Sequence, residues 1–307
     1  MVDAKSYSSG CIVYSCTAGF NPVGSALAAM QPVAAPPLSR TLAGLEGRAI
    51  VVTGATSGLG KCIAIQCAKA GARGVLVCGR SAERGMAVVD EIRSLAPGCL
   101  CDFSQGDLAE GDAVAQATVA KAVALFGTVE GLVNSAAVCF PRGTLADTTP
   151  ELWDKMMKTN LTAPFLFTKA FTEVMKAARV RGAVVNIGSC AAHGGAPFIL
   201  AYSCSKGGLA ILTKNNAQEL RGHGIRVNQV NMGWCLTDAE DAGQRAEKGP
   251  DWLADADAGS PTGRLLRTVD TSATVVHLLS EASAMITGAV VDVSPDVIPG
   301  MLPAAVG

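Results

Sequence analysis

Tyr202 and Lys206 stand four residues apart, and Ser189 precedes the tyrosine by thirteen, in the stretch SCAAHGGAPFILAYSCSK. On a helix, i,i+4 spacing stacks a phenol and an ammonium on one face. The chemistry within reach is proton transfer. A free phenol has a pKa of about 10, and lowering a pKa by one takes about 1.36 kcal/mol. Making this phenol titrate near neutral pH therefore takes about 4 kcal/mol. One unit charge at ~4 Å supplies that at an effective dielectric of ~20. A Tyr-x-x-x-Lys pair alone is common by chance; the serine and a glycine-rich turn upstream give it weight.

The elements that must hold these residues become legible at Leu45. Arg48–Thr53 (RAIVVT) is a short β-branched run, as expected of a parallel strand covered on both faces. It leads into Gly54-Ala-Thr-Ser-Gly58-Leu-Gly60 and then a helical pattern to Lys69. Strand, glycine turn and helix in that order predict a dinucleotide site, with backbone close to a pyrophosphate and a helix N-terminus aimed at it. Gly54, Ser57, Gly58, Leu59 and Gly60 are the candidate contacts. A second strand, Gly74–Cys78, ends at Gly79-Arg80, where an NAD site would carry an acid for the ribose 2′-hydroxyl. Arg80 there favours a 2′-phosphate and hence NADP, with NAD left open. The plain alternative is a surface arginine opening the helix Ser81–Leu95.

A third strand, Leu100–Gln105, leads to Asp107 and Leu108. Asp107 either accepts from an adenine amino group or caps the helix Asp112–Phe126. The fourth strand, Val129–Val133, runs into Asn134-Ser-Ala-Ala137; Asn134 is expected to bond backbone at the strand end, with nearby backbone facing the cofactor. Trp153–Asn160 reads as helix, and Asn160 within it needs a partner or a water. The fifth strand, Ala183–Ile187, delivers Ser189 at the carboxyl edge where open α/β sheets bind ligands. A sixth, Ile225–Val230, leads to Gly233 and Thr237. The acidic, glycine-rich chain from there to Arg264 reads as a mobile flap. Helix Thr271–Leu279 and strand Ala289–Val293 close the series. The alternation predicts a single doubly wound α/β domain, a Rossmann-type parallel sheet flanked by helices, over 45–300. Residues 1–44 form an extension and 301–307 a tail.

Composition narrows the partners. Of 307 residues 49% are apolar and the net charge is −1, with no basic stripe, which argues against nucleic acid. The eleven cysteines show no metal-type pairing, so no metal site is expected; most read as small buried residues in a reducing compartment. No uninterrupted apolar run of about 18 residues is present to cross a bilayer. The uncharged stretch from Ser6 to Ser39 is broken by glycines and prolines, and its start is a poor secretion signal. A cytoplasmic location is expected, with organelle targeting by the extension left open.

Together these residues resemble the short-chain dehydrogenase/reductase family, single-domain type, over about Leu45 to Pro299. TGATSGLG is similar to its cofactor turn, Asn134 to its Asn-Asn-Ala-Gly element, and Asn160, Ser189, Tyr202 and Lys206 to its four catalytic positions. The resemblance implies an oxidoreductase that moves hydride between a nicotinamide and a small alcohol or ketone. Tyr202 would transfer the proton, while Lys206 lowers its pKa and binds the nicotinamide ribose. Ser189 would orient the substrate oxygen, and Asn160 hold a water relaying protons to Lys206. Asn134-Ser-Ala-Ala137 lacks the usual second asparagine and glycine. Met232-Gly233 replaces Pro-Gly, leaving Thr237 as the carboxamide or phosphate contact, and Ser294-Pro-Asp-Val replaces Asp-Gly-Gly. The Asn-Met-Gly-Trp run and DWLADADAGSPTGRLL are similar to a subgroup that accompanies sugar or polyol breakdown. Val138–Arg142, Cys190–Gly195 and Trp234–Asp241 are candidate substrate walls. His193 reads as solvated, and Cys139, Cys190 and Cys235 as wall residues. Family members pair through the helices carrying Asn160 and Tyr202, so a homodimer or homotetramer is expected. The competing readings are a non-catalytic redox sensor and a lyase or epimerase on the same fold.

Overall fold

The β-branched runs become a seven-stranded parallel sheet in a computed structural model that describes residues 44–295. The expected extension and tail lie outside those residues, apart from Gly44. The strands are β1 (Ala49–Thr53), β2 (Gly74–Gly79), β3 (Leu100–Gln105), β4 (Gly131–Asn134), β5 (Ala183–Ser189), β6 (Arg226–Met232) and β9 (Val290–Val293). Their order is β3-β2-β1-β4-β5-β6-β9. The chain therefore reverses direction across the sheet between β1 and β4, which leaves a crevice at their carboxyl ends. A two-stranded ribbon of β7 (Cys235–Leu236) and β8 (Leu266–Arg267) stands apart.

Alternate side chains of each strand serve opposite cores, as the two-residue period requires. Ile50 and Val52 of β1 join one cluster, together with Ile63 of α1 (Gly58–Lys69), Val89 of α2 (Ala82–Leu95) and Val275 of α9 (Thr268–Leu279). Ala49 and Val51 join the other, with Val119 of α3 (Asp112–Phe126), Phe167 and Phe171 of α5 (Ala163–Ala177), and Leu220 of α6 (Leu200–Leu220). Burial on both faces explains why these strands read as continuous apolar runs.

Two segments differ from expectation. The helix holding Asn160 begins at Pro150 as α4 (Pro150–Met157), widens into a π turn over Lys158–Thr162, and continues as α5. Pro164 has no N–H for an α-helical bond, and the wider turn, in which the Ala163 N–H reaches Lys158 O, carries the helix past it. The supposed flap is largely two helices, α7 (Asp238–Lys248) and α8 (Trp252–Gly259). Thr237 caps α7 by accepting from Glu240 N at 3.2 Å, and Asp241 pairs with Arg245 one turn on at 2.8 Å. Trp252 is buried, and its indole donates to Asp241. Among the described residues no helix is long and apolar enough to cross a membrane.

Candidate active site

The glycine turn closes on itself. A Cβ on Gly60 would overlap the Gly54 carbonyl oxygen, and one on Gly54, whose φ is 65°, would lie 2.6 Å from Ala136 Cα. Thr53 Oγ1 accepts from the N–H groups of Ser135 and Ala136 at 3.1 and 3.3 Å, fastening the ends of β1 and β4 together. Helix α1 starts at Gly58, and its N-cap Ser57 forms no side-chain cap. The first N–H groups of a twelve-residue helix, including those of Leu59 and Gly60, thus meet no capping side chain, and the positive end of the dipole adds to them. Thr237 faces this turn, its Cβ 3.6 Å from where a Gly58 Cβ would stand. Gly233 lies against the end of β9, its N–H donating to Val293 O at 2.9 Å. These features fit a dinucleotide pyrophosphate.

Arg80 follows β2 with its side chain 68% exposed, 3.9 Å from Asp107. Asp107 caps the short turn Leu108–Glu110 through Ala109 N at 3.0 Å rather than the helix that follows. Leu108 is buried, so only its backbone can face a ligand.

Strand β5 and helix α6 bring the serine, tyrosine and lysine together. Ser189 Oγ accepts from Ala191 N at 3.2 Å, and its hydroxyl favours the ionised form of the Tyr202 phenol. Lys206 is 2% exposed, donates to Ile187 O at 2.7 Å, and places Nζ 5.6 Å from the Tyr202 ring centroid. The electrostatics differ from the sequence expectation. Burial pushes the Tyr202 phenol above its ordinary value; Cys139 adds to this and the Ser189 hydrogen bond works against it. Burial also pushes the Lys206 ammonium down to about 8. Desolvation of both groups outweighs the attraction that would have made the phenol more acidic.

Asn160 is fully buried on the π turn. Its Oδ1 accepts from Val138 N at 2.8 Å, and its Nδ2 donates to Val138 O at 2.9 Å and Ser205 Oγ at 3.1 Å. Both side-chain donors are therefore taken by protein, and the amide ties the loop after β4 to α6. Asn134 also differs. Its Nδ2 donates to the side chains of Thr168 and Asn186 at 3.1 and 2.8 Å, not to backbone. The expected walls do converge. Arg142 lies 3.7 Å from both Glu240 and Glu247, and Glu240 accepts from the Trp234 indole at 2.8 Å. Cys139 is partly buried, which pushes its thiol up; the Arg142 and Lys206 charges work against this and Glu240 adds to it. His193, expected to be solvated, bonds Asp292 at 3.0 Å. Sequence reasoning missed Ser205 and Asp292, and took Glu240 only as part of the wall Trp234–Asp241. Thr237-Asp-Ala-Glu240 carried the Ser/Thr-x-x-Glu spacing of a helix start, which would have exposed Glu240; nothing local marks Asp292.

A family profile described as short chain dehydrogenase matches residues 48–248. The chain belongs to the short-chain dehydrogenase/reductase family. It is an oxidoreductase on a Rossmann-type fold. It is 32% identical to a 3-oxoacyl-(acyl-carrier-protein) reductase of Staphylococcus aureus, over 80% of this chain and 96% of that protein. It is 31% identical to L-rhamnose 1-dehydrogenase (NAD(P)(+)) of a Sphingomonas species, over 80% and 94%. A gluconate 5-dehydrogenase of Burkholderia cenocepacia, solved with NADP and tartrate, superposes with a TM-score of 0.73 at 27% identity, covering 82% of this chain and 96% of that one. The family match thus spans six of the seven sheet strands, the glycine turn and the Ser189–Lys206 stretch.

Proposed function

We propose that the protein is an NADP-dependent ketone reductase and secondary-alcohol dehydrogenase acting on small polyhydroxylated substrates. The observation that carries this is a serine at the carboxyl end of β5 brought together with a tyrosine and a buried lysine one turn apart on α6, Lys206 Nζ lying 5.6 Å from the Tyr202 ring centroid. When bound, the nicotinamide supplies or accepts the hydride. Tyr202 passes the proton to or from the substrate oxygen, and Ser189 orients that oxygen. A phenol held protonated by burial is in the form that ketone reduction needs. Lys206 holds the nicotinamide ribose and biases the phenol, while Asn160 fixes the β4 loop against α6. Gly54, Ser57, Gly58, Leu59, Gly60 and Thr237 hold the pyrophosphate. Asn134 braces the strand ends, Gly233 shapes the nicotinamide side, and Asp107 and Leu108 flank the adenine.

Arg80 is exposed and only loosely paired, so it is free to take a 2′-phosphate. The NADP in the gluconate 5-dehydrogenase structure supports the cofactor choice, and that protein together with the rhamnose dehydrogenase supports the substrate class. A non-catalytic sensor is disfavoured, because it gives the buried ammonium beside a phenol no task. The exposed Phe165 and Ile211 on α5 and α6 fit pairing of two copies through those helices; light scattering should give at least a dimer, and a monomer would refute it.

The deciding experiment is a panel of sugars, polyols and ketones followed at the absorbance of the reduced cofactor, with wild type and Tyr202→Phe. Turnover in the variant should fall about a hundredfold or more, with NADPH affinity nearly unchanged. Full turnover in the variant ends the proton-transfer role.

A further inference from the structure

A row of buried polar side chains crosses the sheet on the side facing α6. Asn134 Nδ2 donates to Asn186 Oδ1 at 2.8 Å, and Asn186 Nδ2 to Thr213 Oγ1 of α6 at 2.9 Å. Thr213 Oγ1 lies 3.2 Å from Gln229 Oε1, Gln229 Nε2 donates to Asn231 Oδ1 at 2.7 Å, and Asn231 Nδ2 to Asp292 Oδ1 at 2.8 Å. Parallel register makes the row possible, since it sets Asn134 beside Asn186, Asn186 beside Gln229, and Asn231 beside Asp292. Gly188, immediately before Ser189, leaves the row its path, because a Cβ there would overlap Asn231 Oδ1 and Gln229 Nε2.

From Gln229 the bonds run one way, towards Asp292, while the single Thr213 hydroxyl hydrogen is shared between Leu209 O at 2.8 Å and Gln229 Oε1. A carboxylate only accepts, so Asn231 must turn its NH2 to it and its carbonyl to Gln229, whose own carbonyl then faces Thr213. The same carboxylate receives His193 Nε2, at 3.0 and 3.1 Å from its two oxygens. Facing two carboxylate oxygens, which accept, Nε2 is the donor of the pair.

His193 closes the short turn Cys190–His193 that Ser189 opens as its N-cap. Beyond it Gly194 and Gly195 have φ of 84° and 80°, and neither is in a regular element. The His193–Asp292 bond therefore anchors the far end of the turn to β9, while the row anchors the same carboxylate to α6, seven residues past Lys206.

We infer that His193 and Asp292 are positioning residues that hold Ser189 in register with Tyr202, through the hydrogen-bonded row joining β9 to α6. The inference rests on the reading that Ser189 orients the substrate oxygen. Neither residue touches the reacting atoms in this scheme.

The test uses the full chain with His193→Ala and His193→Gln, and Ser189→Ala as reference. His193→Ala removes a side chain that is 41% exposed, so the thermal midpoint should stay close to wild type. Its kcat should fall about ten- to a hundredfold, with KM for NADPH unchanged. His193→Gln, whose amide can donate to the same carboxylate, should recover most of that loss. Nitrogen-15 spectra should show the Nε2–H tautomer in wild type and its loss in Asp292→Ala. Wild-type kcat in His193→Ala, alongside a large loss in Ser189→Ala, overturns the positioning role alone. Wild-type activity in Ser189→Ala overturns both readings. Equal losses in the Ala and Gln variants, or an Nδ1–H tautomer in wild type, also overturn the inference.

Discussion

Replacing Lys206 with methionine should make the protein more stable and inactive. The ammonium is 2% exposed, and burial lowers its pKa from 10.5 to about 8. In the unfolded chain the group keeps its ordinary value, so between those limits the unfolded state binds more protons and stability rises with pH. The penalty for burying the charge is complete below about pH 8 and is lost as pH rises towards 10.5. At pH 7 it amounts to about 3 kcal/mol, taking about 1.36 kcal/mol per pH unit between the two values. Methionine has similar length and no charge, but it leaves Ile187 O without the bond it receives at 2.7 Å, a loss of about 1 kcal/mol. The net gain at pH 7 is about 2 kcal/mol, or an increase of roughly 4–8 °C in Tm for a domain of this size. At pH 9.5 the gain should shrink to near zero. Thermal unfolding of both proteins at the two pH values, with turnover measured beside it, makes the check. A variant no more stable than wild type at pH 7, or a gain that is the same at both pH values, refutes the burial argument. Retained turnover refutes the catalytic one.

The same site makes two further predictions. Arg80→Asp should move cofactor preference towards NAD by about tenfold or more, since a charged bidentate partner is replaced by a repelling one; an unchanged ratio of kcat/KM values for the two cofactors rejects the phosphate clamp. Because burial holds the Tyr202 phenol above its ordinary pKa, ketone reduction should be flat from pH 6 to 7.5, below the value of about 8 where Lys206 loses its proton. Alcohol oxidation, which needs the phenolate, should climb about tenfold per pH unit over the same range. Oxidation that is flat there would show the phenol already ionised.

Much of the frame was readable because its signals are local. Parallel strands buried on both faces must be short apolar runs, so Arg48–Thr53, Gly74–Cys78 and their five successors lie within a residue or two of the observed strands. Gly60 is dictated by backbone overlap within one turn, whereas Gly54 is dictated by Ala136 on the loop after β4. The i,i+4 spacing of Tyr202 and Lys206 survives because both lie on the one helix α6. Helix α7 was missed although its cap and its Asp241–Arg245 pair were in the sequence, because its composition is acidic and lacks an apolar stripe.

The amino-acid order by itself determined which side chains could do chemistry and on which strand or helix each would sit. Only the fold decided their protonation and their partners. Desolvation depends on everything packed around a group, and that is why the Lys206 ammonium becomes more acidic while the Tyr202 phenol becomes less so. The partnership of His193 and Asp292 spans 99 positions of chain and exists only because parallel pairing sets β9 beside β6, which no local pattern encodes.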